Sequence, residues 1–452
     1  MKLVIVGAGK VGETLVAKLT KENHDIIVVD EDPKAVETVV NRYDARGIVG
    51  NGGERSILLN AECDTADFFV ACTSRDELNL LCCVLAKKLG AKHTMARVRD
   101  PEYFNERDTL GEELEVDMLF NPEYRIAIEI AQLLRFPSAI NIETFASGKI
   151  AMIELRITEK NPIVGKSLVE IAQTYDSKVL FCMVTRGDNV FIPRGDFVIK
   201  EKDTVYIAAP QTDITNFCKK LHVFKQKAKS VFIIGGGKIA YYLAQELIDF
   251  GVDVKIIEQD EKRCVELSEE LPRATIILGD GTDQEVLDEE NLKSCDGCVT
   301  LTGMDEENVI ISLYALSQKV GKVITKVDRT SIGKMVKQLG LDTVVSPRNV
   351  VANQLIRYVR ANQTNEGEGI NALYRVHDKA EALEFTVSDT FKHTGIPLKE
   401  LNAKLRQNVL ICGIVRDNLV IIPNGDTTFE KGDKVLIVTT AKKITSLSQI
   451  VK

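Results

Sequence analysis

Residues 3–12, with the sequence LVIVGAGKVG, decide the fold of this chain. Their first four residues are apolar and predict a buried parallel strand, and residues 11–19 predict a helix. Gly7 permits a tight turn, Gly9 lets the backbone approach a pyrophosphate, and Gly12 lets helix and strand pack closely. The helix N-terminus then offers N–H groups and a partial positive charge to phosphate oxygens.

A second apolar strand, residues 25–29, ends in the acidic residue Asp30. A carboxylate at this position can accept hydrogen bonds from both hydroxyls of an adenosine ribose. The glycine motif alone is weak evidence, because glycine turns also build ordinary loops. With its strand, helix and terminal acid, it predicts a nucleotide site in a doubly wound α/β domain.

Length and composition predict an ordinary multidomain globular protein. The 452 residues suffice for three or four domains of about 100–200 residues each. No apolar stretch reaches the roughly 18 residues of a membrane span, and the amino terminus does not resemble a signal peptide, so we expect a cytoplasmic protein. The net charge of −8 argues against binding to nucleic acid or anionic lipid.

Cysteine and histidine usage predicts neither a metal site nor a redox dithiol. Most of the ten cysteines fall in apolar runs, where a thiol behaves as a small hydrophobic group. One CxxC pair occurs, at Cys295 and Cys298, but no second pair of cysteines has this spacing and the five histidines are scattered. Gly165-Lys166-Ser167 is not a P-loop, because Lys160 stands where that motif requires a glycine.

The opening pattern is repeated once. Residues 230–240, SVFIIGGGKIA, form a second strand and glycine motif, in which Gly235 and Gly237 take the places of the first two glycines. The next strand ends in Glu258, the counterpart of Asp30. Repeats of this length indicate two copies of one structural module.

Further motifs recur at an offset of 229 residues: Gly-Asn-Gly at 50–52 with Gly-Asp-Gly at 279–281, and TSRDELN at 73–79 with TGMDEEN at 302–308. Each copy alternates six strands with helices. The sequence therefore predicts an α/β protein with two tandem Rossmann-like, doubly wound parallel-sheet domains.

Each copy continues into an amphipathic helix and then a small α+β domain. The small domains contain the turns IPRGD at 192–196 and IPNGD at 422–426. Their aspartates, Asp196 and Asp426, are more typical of turns than of ligand sites. Residues 361–369 are polar and rich in glycine, which predicts a flexible linker. The predicted domains are 1–138 and 227–362 (Rossmann-like) and 139–226 and 367–452 (small α+β).

These motifs resemble those of RCK, or KTN, regulatory modules. Two such modules in tandem, over essentially all of the chain, are similar to the regulatory subunits of bacterial Trk potassium uptake systems. The resemblance implies a protein that is not an enzyme. It implies a homo-oligomeric ring, a tetramer, attached to the inner face of the plasma membrane through an integral-membrane Trk-type potassium-transporting subunit. Nucleotide occupancy of the ring then gates ion flux.

The first module carries ten candidate nucleotide-binding residues. The resemblance places Asn51 and Gly52 on the adenine side. It also places Thr73 at the mouth of the cleft and Arg97 opposite the phosphates. The full set is Gly7, Gly9, Lys10, Val11, Gly12, Asp30, Asn51, Gly52, Thr73 and Arg97. Lys10 and Arg97 could instead be solvated charges that bind no ligand.

The second module carries nine candidates, which we expect to form an equivalent cleft. Its third glycine is replaced by Ala240, which is nearly as small. The candidates are Gly235, Gly237, Lys238, Ile239, Glu258, Asp280, Gly281, Thr302 and Lys326.

Adenine nucleotides are the expected ligands of both modules. An acid at the ribose position disfavours the 2′-phosphate of NADP, which favours NAD(H), most clearly in the first module. ATP or ADP is equally allowed in either site, because Asp30 and Glu258 contact only a ribose.

Other functions stay open at this stage. An NAD-dependent oxidoreductase would need a polarising or proton-donating group beside the nicotinamide, and neither module offers an obvious one. The chain could regulate a different ion channel or an efflux system, since no residue identifies the transported ion. The small domains could bind a second effector, such as a cyclic dinucleotide or a metal ion.

Overall fold

The computed structural model describes residues 1–176, 178–223, 226–329, 332, 335–336, 338–362, 370–376, 379–401, 404–406, 408–440 and 444–451. Most of the predicted linker, residues 363–369, lies outside this set. The chain divides into two compact units. Unit 1 contains Met1–Ile130 and Ser230–Ile356, and unit 2 contains Ala131–Lys229 and Arg357–Lys452.

The first copy of the repeat contains, in chain order, β1 (Lys2–Val6), α1 (Lys10–Leu19), β2 (Asp25–Asp30), α2 (Pro33–Arg42), β3 (Arg46–Val49), α3 (Arg55–Asn60), β4 (Phe68–Ala71), α4 (Asp76–Leu89), β5 (His93–Arg97), α5 (Pro101–Asn105), α6 (Arg107–Glu113), β6 (Met118–Phe120), α7 (Pro122–Arg135), β7 (Asn141–Phe145), β8 (Ile150–Arg156), α8 (Leu168–Tyr175), β9 (Leu180–Arg186), β10 (Asn189–Phe191), β11 (Thr204–Ala209) and α9 (Gln211–Lys220).

The second copy contains β12 (Ser230–Ile234), α10 (Lys238–Asp249), β13 (Asp253–Glu258), α11 (Glu261–Glu270), β14 (Thr275–Leu278), α12 (Gln284–Glu289), β15 (Gly297–Thr300), α13 (Asp305–Ser317), β16 (Lys322–Lys326), β17 (Val344–Val345), α14 (Pro347–Ala361), β18 (Ile370–Val376), β19 (Ala380–Thr386), α15 (Leu398–Leu401), β20 (Val409–Arg416), β21 (Leu419–Ile421) and β22 (Lys434–Thr439).

Unit 1 holds two six-stranded parallel sheets, as the sequence predicts. Their strand orders are β3-β2-β1-β4-β5-β6 and β14-β13-β12-β15-β16-β17. Leu3, Val4 and Ile5 in the central strand β1 are fully buried, which explains why that strand is apolar throughout. The strand order reverses beside β1 and beside β12. A crevice at the carboxyl ends of the strands is expected at each reversal.

Unit 2 holds two five-stranded antiparallel sheets, ordered β10-β9-β11-β8-β7 and β18-β19-β22-β20-β21. These sheets confirm the two small α+β domains of the predicted fold class. Their strands correspond one to one, and a single apolar core joins them, with Met152 and Cys182 from one domain and Ala382 and Cys412 from the other. Asp203 and Asp433, both buried, form equivalent two-bonded ion pairs with arginines in the two domains.

No helix in the described part of the chain is both long enough and apolar enough to cross a bilayer. Among the same residues, no cluster of three or more histidine, cysteine or acidic side chains could hold a metal ion.

Candidate nucleotide-binding site

The glycine loop between β1 and α1 keeps its shape because two of its glycines have no room for a side chain. Gly7 has a φ of +106°, and a Cβ atom added there would lie 2.9 Å from the carbonyl carbon of Cys72. A Cβ added at Gly12 would lie 1.8 Å from the carbonyl oxygen of Gly7. A Cβ at Gly9 would meet no described atom within 4 Å. The space beside Gly9 is therefore open to a ligand.

The N-terminus of α1 borders that open space. Gly9 is the residue before the helix, and no described side chain caps the helix there. The first backbone N–H groups of a helix have no partner within it, so they remain available to an anion. Glycine at this position thus exposes both the backbone and its partial positive charge.

Asp30 lies beside the glycine loop and braces it. Its Oδ2 accepts a hydrogen bond from the Ala8 N–H at 2.6 Å, and its Oδ1 accepts one from the Asp32 N–H at 2.9 Å. A carboxylate oxygen can accept more than one hydrogen bond. Asp30 can therefore hold the loop and also accept ribose hydroxyls.

A cavity of about 530 Å³ lies at the carboxyl ends of β1, β2, β4 and β5. Eight of the ten residues predicted for the first module line it: Gly7, Gly9, Lys10, Val11, Asp30, Gly52, Thr73 and Arg97. The other two, Gly12 and Asn51, are not in its lining. Gly12 packs against Gly7, and the side-chain oxygen of Asn51 accepts a hydrogen bond from the Gly53 N–H at 2.7 Å within its own turn.

The second Rossmann domain, which also belongs to unit 1, completes the lining of this cavity. It contributes Ile239, Lys326, Asp328, Pro347 and Arg348. The sequence predicts Ile239 and Lys326 as ligands of the second module's own cleft, whereas the structure places both at the cavity of the first. The sequence analysis did not predict Asp328 or Arg348 as site residues.

The cavity is rich in charged groups. Arg97 donates a hydrogen bond to Oε1 of Glu123 at 2.8 Å. Within the described chain, Nε of Arg97, Oε2 of Glu123 and Nε of Arg348 are buried without a hydrogen-bond partner. Burial lowers the pKa of Lys326, whose ammonium group donates to the carbonyl oxygen of Thr302 at 2.7 Å. Buried polar atoms without partners carry a free-energy cost that a polar ligand can remove.

The second module repeats the loop geometry of the first. Gly235 has a φ of +99°, and a Cβ on Gly237 would meet no described atom within 4 Å. Oε2 of Glu258 accepts a hydrogen bond from the Gly236 N–H at 2.6 Å, as Asp30 does from Ala8. Lys238 lies 3.3 Å from a carboxylate oxygen of Asp100 in the first Rossmann domain.

The remaining predicted residues of the second module mostly hold its loops. Gly281 packs against Ile234, where a Cβ would come within 2.2 Å of that side chain. Oδ1 of Asp280 accepts hydrogen bonds from the N–H and hydroxyl of Thr282, which lower the pKa of the Asp280 carboxyl. Thr302 is held by the buried Asn308, whose side-chain oxygen accepts its N–H at 2.8 Å.

Two residues of the motif TSRDELN position the cavity without lining it. The fully buried Asn79 accepts hydrogen bonds from the N–H and hydroxyl of Thr73 and donates one to the carbonyl oxygen of Arg97. Asp76 accepts the backbone N–H groups of Arg99 and Asp100, both at 2.8 Å. Asp305 and Asn308 repeat these two residues in the second copy, and this repetition is the sequence signal that could have indicated their positioning roles.

The arrangement can bind an anionic, ribose-bearing ligand. A helix N-terminus, an acid at the ribose position and several cations surround one cavity, and three buried polar atoms in its lining lack partners. Together these features fit an adenine nucleotide, with its phosphates at the glycine loop and its ribose at Asp30.

Two family models match the chain twice each. The TrkA-N domain matches residues 3–122 and 231–347, and the TrkA-C domain matches residues 152–222 and 383–452. A Trk system potassium uptake protein TrkA homolog 2 from Methanosarcina mazei is 32% identical over 461 residues, covering 100% of both chains. A Trk system potassium uptake protein TrkA homolog from Archaeoglobus fulgidus is 34% identical over 450 residues, again covering 100% of both.

Solved structures support the fold. The GsuK RCK domain matches with a TM-score of 0.64 at 18% identity, covering 98% of this chain and 92% of that one. A GsuK channel bound to NAD has a TM-score of 0.63 at 18% identity, covering 98% and 77%. A GsuK structure bound to ADP has a TM-score of 0.50 at 16% identity, covering 79% and 69%. At these identities the similarity shows the fold alone.

Proposed function

Because this chain belongs to the TrkA family, we propose that it is the nucleotide-binding regulatory subunit of a potassium uptake system. The relatives that match it over their full lengths are named Trk system potassium uptake proteins. In this proposal the chain is a cytoplasmic, non-enzymatic protein. It assembles as a homo-oligomeric ring, a tetramer, on an integral-membrane potassium-transporting partner, and this partner holds it at the inner face of the plasma membrane.

The observation that carries the proposal is the cavity of the first Rossmann domain. The open side of Gly9, the uncapped N-terminus of α1 and the carboxylate of Asp30 meet there. We propose that the α1 N-terminus binds the pyrophosphate and Asp30 the ribose hydroxyls. Lys10 and Arg97 neutralise phosphate charge, Gly52 borders the adenine side, and Thr73 lies at the mouth of the cleft.

NAD(H) is the ligand we propose for this cavity, with ATP or ADP as competitors for it. Two structures of similar fold, GsuK bound to NAD and GsuK bound to ADP, motivate this choice of ligands. All of these nucleotides share a ribose and a pyrophosphate, and they differ beyond the pyrophosphate. We propose the same class of ligand for the cleft at Gly237 and Glu258.

Regulation in this proposal is a shift between two conformations of the ring. A ligand can shift such an equilibrium only by the difference between its affinities for the two states. Coupling free energies of about 1–3 kcal/mol per site are typical, and a ring adds the contributions of its sites. Nucleotides that share the anchor but differ beyond it can then favour opposite states. We propose that each subunit of the ring consists of four domains, residues 1–138, 139–226, 227–362 and 367–452.

The test combines Gly9→Val and Gly237→Val in the full chain. Both glycines have extended backbone conformations that valine tolerates, and both face open space, so the fold and the assembly with the partner should survive. Potassium flux in vesicles containing the co-purified partner should then no longer depend on NADH or ATP.

The single variants serve as controls, since each keeps one cleft. A double variant that still assembles and still responds fully to nucleotide would refute the proposal. Loss of NADH absorbance on incubation with carbonyl substrates would instead favour the oxidoreductase alternative.

A further inference from the structure

The two Rossmann domains differ in charge at two equivalent positions beside the cavity. At the repeat's offset of 229 residues, Arg99 corresponds to Asp328, and Glu123 and Arg348 each follow the proline that begins α7 or α14. The loop of Asp328 is held as that of Arg99 is, because the Asp328 N–H donates to the buried Asp305 at 2.9 Å, as the Arg99 N–H donates to Asp76 at 2.8 Å. Asp328 therefore carries the opposite charge to Arg99 on a backbone that is held in the same way.

Asp328 lies between two cations of the cavity lining. Its Oδ2 is 3.7 Å from Nζ of Lys10, in the first Rossmann domain, and 3.7 Å from a terminal nitrogen of Arg348, in the second. Its side chain is 17% exposed and that of Arg348 20%, whereas Lys10 is 70% exposed. Lys326 also lines the cavity; burial lowers its pKa, and the nearby carboxylate of Asp328 opposes part of that lowering.

These contacts are ion pairs without hydrogen bonds. A distance of 3.7 Å exceeds that of an N–H···O hydrogen bond. The pair with Lys10 also contributes little because Lys10 is exposed. A phosphate carries more charge than a carboxylate and offers more acceptor oxygens. It can therefore replace Asp328 as the partner of Lys10 and Arg348.

We propose that Asp328 is an internal counter-anion that competes with the phosphates of a nucleotide for the first cavity. When a nucleotide enters, its phosphates take over Lys10 and Arg348, and the contact of Asp328 with Lys10 is lost. This exchange transmits occupancy of the first Rossmann domain to the second, because Lys10 and Asp328 belong to different domains. The inference rests on the proposed nucleotide site and adds the residue that sets its selectivity for phosphate charge.

The test is Asp328→Asn in a Gly237→Val background, so that calorimetry reports only the first cavity. Removing the competing charge should tighten ATP binding about tenfold and ADP binding somewhat less, with AMP gaining about threefold. Adenosine, which has no phosphate, should bind as it does to the Gly237→Val protein. The gain should shrink as salt is raised, since the competition is electrostatic.

Asp100→Asn in the same background is the matched control. Asp100 faces Lys238 of the second module, and asparagine preserves its role as the cap of α5. Its first-cavity affinities should stay unchanged.

Weaker binding of ATP to Asp328→Asn would overturn the inference, since Asp328 would then position the cations. An equal gain for adenosine would overturn it as well, because the effect would not depend on phosphate. Failure of the proposed function is a separate result: the Gly237→Val protein would bind no nucleotide even with Asp328 intact.

Discussion

Glycines of one motif have different physical roles, which only their surroundings reveal. Gly12 is required by packing, since a Cβ there would lie 1.8 Å from the Gly7 carbonyl oxygen. Gly9 faces open space, so packing does not require glycine there, and we assign its role to the proposed ligand. The second copy has Ala240 where the first has Gly12, and this alanine is fully buried. The two loops therefore differ in how closely the helix meets the strand.

Gly12→Ala should reduce stability, whereas Gly9→Val should reduce nucleotide binding. Gly12→Ala should lower the free energy of unfolding by about 1–3 kcal/mol, because the loop must shift to admit the methyl group. Gly9→Val should change it by no more than about 0.5 kcal/mol and abolish nucleotide binding in the first cavity. Chemical denaturation and calorimetry of both variants measure this. A stable Gly12→Ala protein, or a Gly9→Val protein that binds normally, would contradict the assignment.

At the scale of elements, the carboxyl ends of β4 and β5 are tied together by one side chain at the start of α4. Asn79 bonds to Thr73 after β4 and to Arg97 at the end of β5. Both partners line the cavity. The shape of the cavity therefore depends on a residue that no ligand would touch.

Asn79→Ala should weaken both stability and nucleotide binding. The N–H of Thr73 and the carbonyl of Arg97 lose buried partners, which should cost about 1–3 kcal/mol of unfolding free energy. ADP affinity in the first cavity should fall, because Thr73 and Arg97 are released.

Asn161→Ala is the control for this experiment. Asn161 is also buried and accepts a backbone N–H, but it lies in unit 2. It should lower stability and leave ADP affinity unchanged. If both variants left ADP affinity intact, Asn79 would have a purely structural role.

At the scale of the whole molecule, unit 2 joins parts of the chain that are far apart in sequence. The buried Glu384 accepts a hydrogen bond from the N–H of Ala146 at 2.6 Å. The side chain of Asn141 donates to the hydroxyl of Tyr374 at 2.7 Å, and burial raises the pKa of that tyrosine. Polar bonds inside a shared apolar core fix how the two small domains pair.

Glu384→Ala should therefore destabilise unit 2. It leaves the buried N–H of Ala146 without an acceptor and creates a cavity, at a cost of about 1–3 kcal/mol. Thermal unfolding should show a lower midpoint. Glu400→Ala, an exposed position in the same domain, should change stability by no more than about 0.5 kcal/mol. Equal midpoints for the two variants would refute a role for Glu384 in joining the domains.

The sequence alone determined the two-fold repeat, the parallel sheets, the small α+β domains and eight of the residues that line the first cavity. These features depend on local chemistry: apolar runs make buried strands, and glycines make tight turns at fixed distances from a strand. Eight predicted residues of the first module line the cavity for this reason. The four domain boundaries and the binding roles of the site residues stay predictions.

Only the tertiary structure decided which residues of the second module belong to the first cavity. Lys326, Asp328 and Arg348 lie more than 200 residues from the first glycine loop, and Ile239 was expected in another cleft. Unit 1 brings the two Rossmann domains together across the 99 residues that separate its two segments, 131–229. A repeat indicates what each domain is, but the packing between domains sets whose side chains face a cavity. That packing depends on surfaces formed only after each domain has folded.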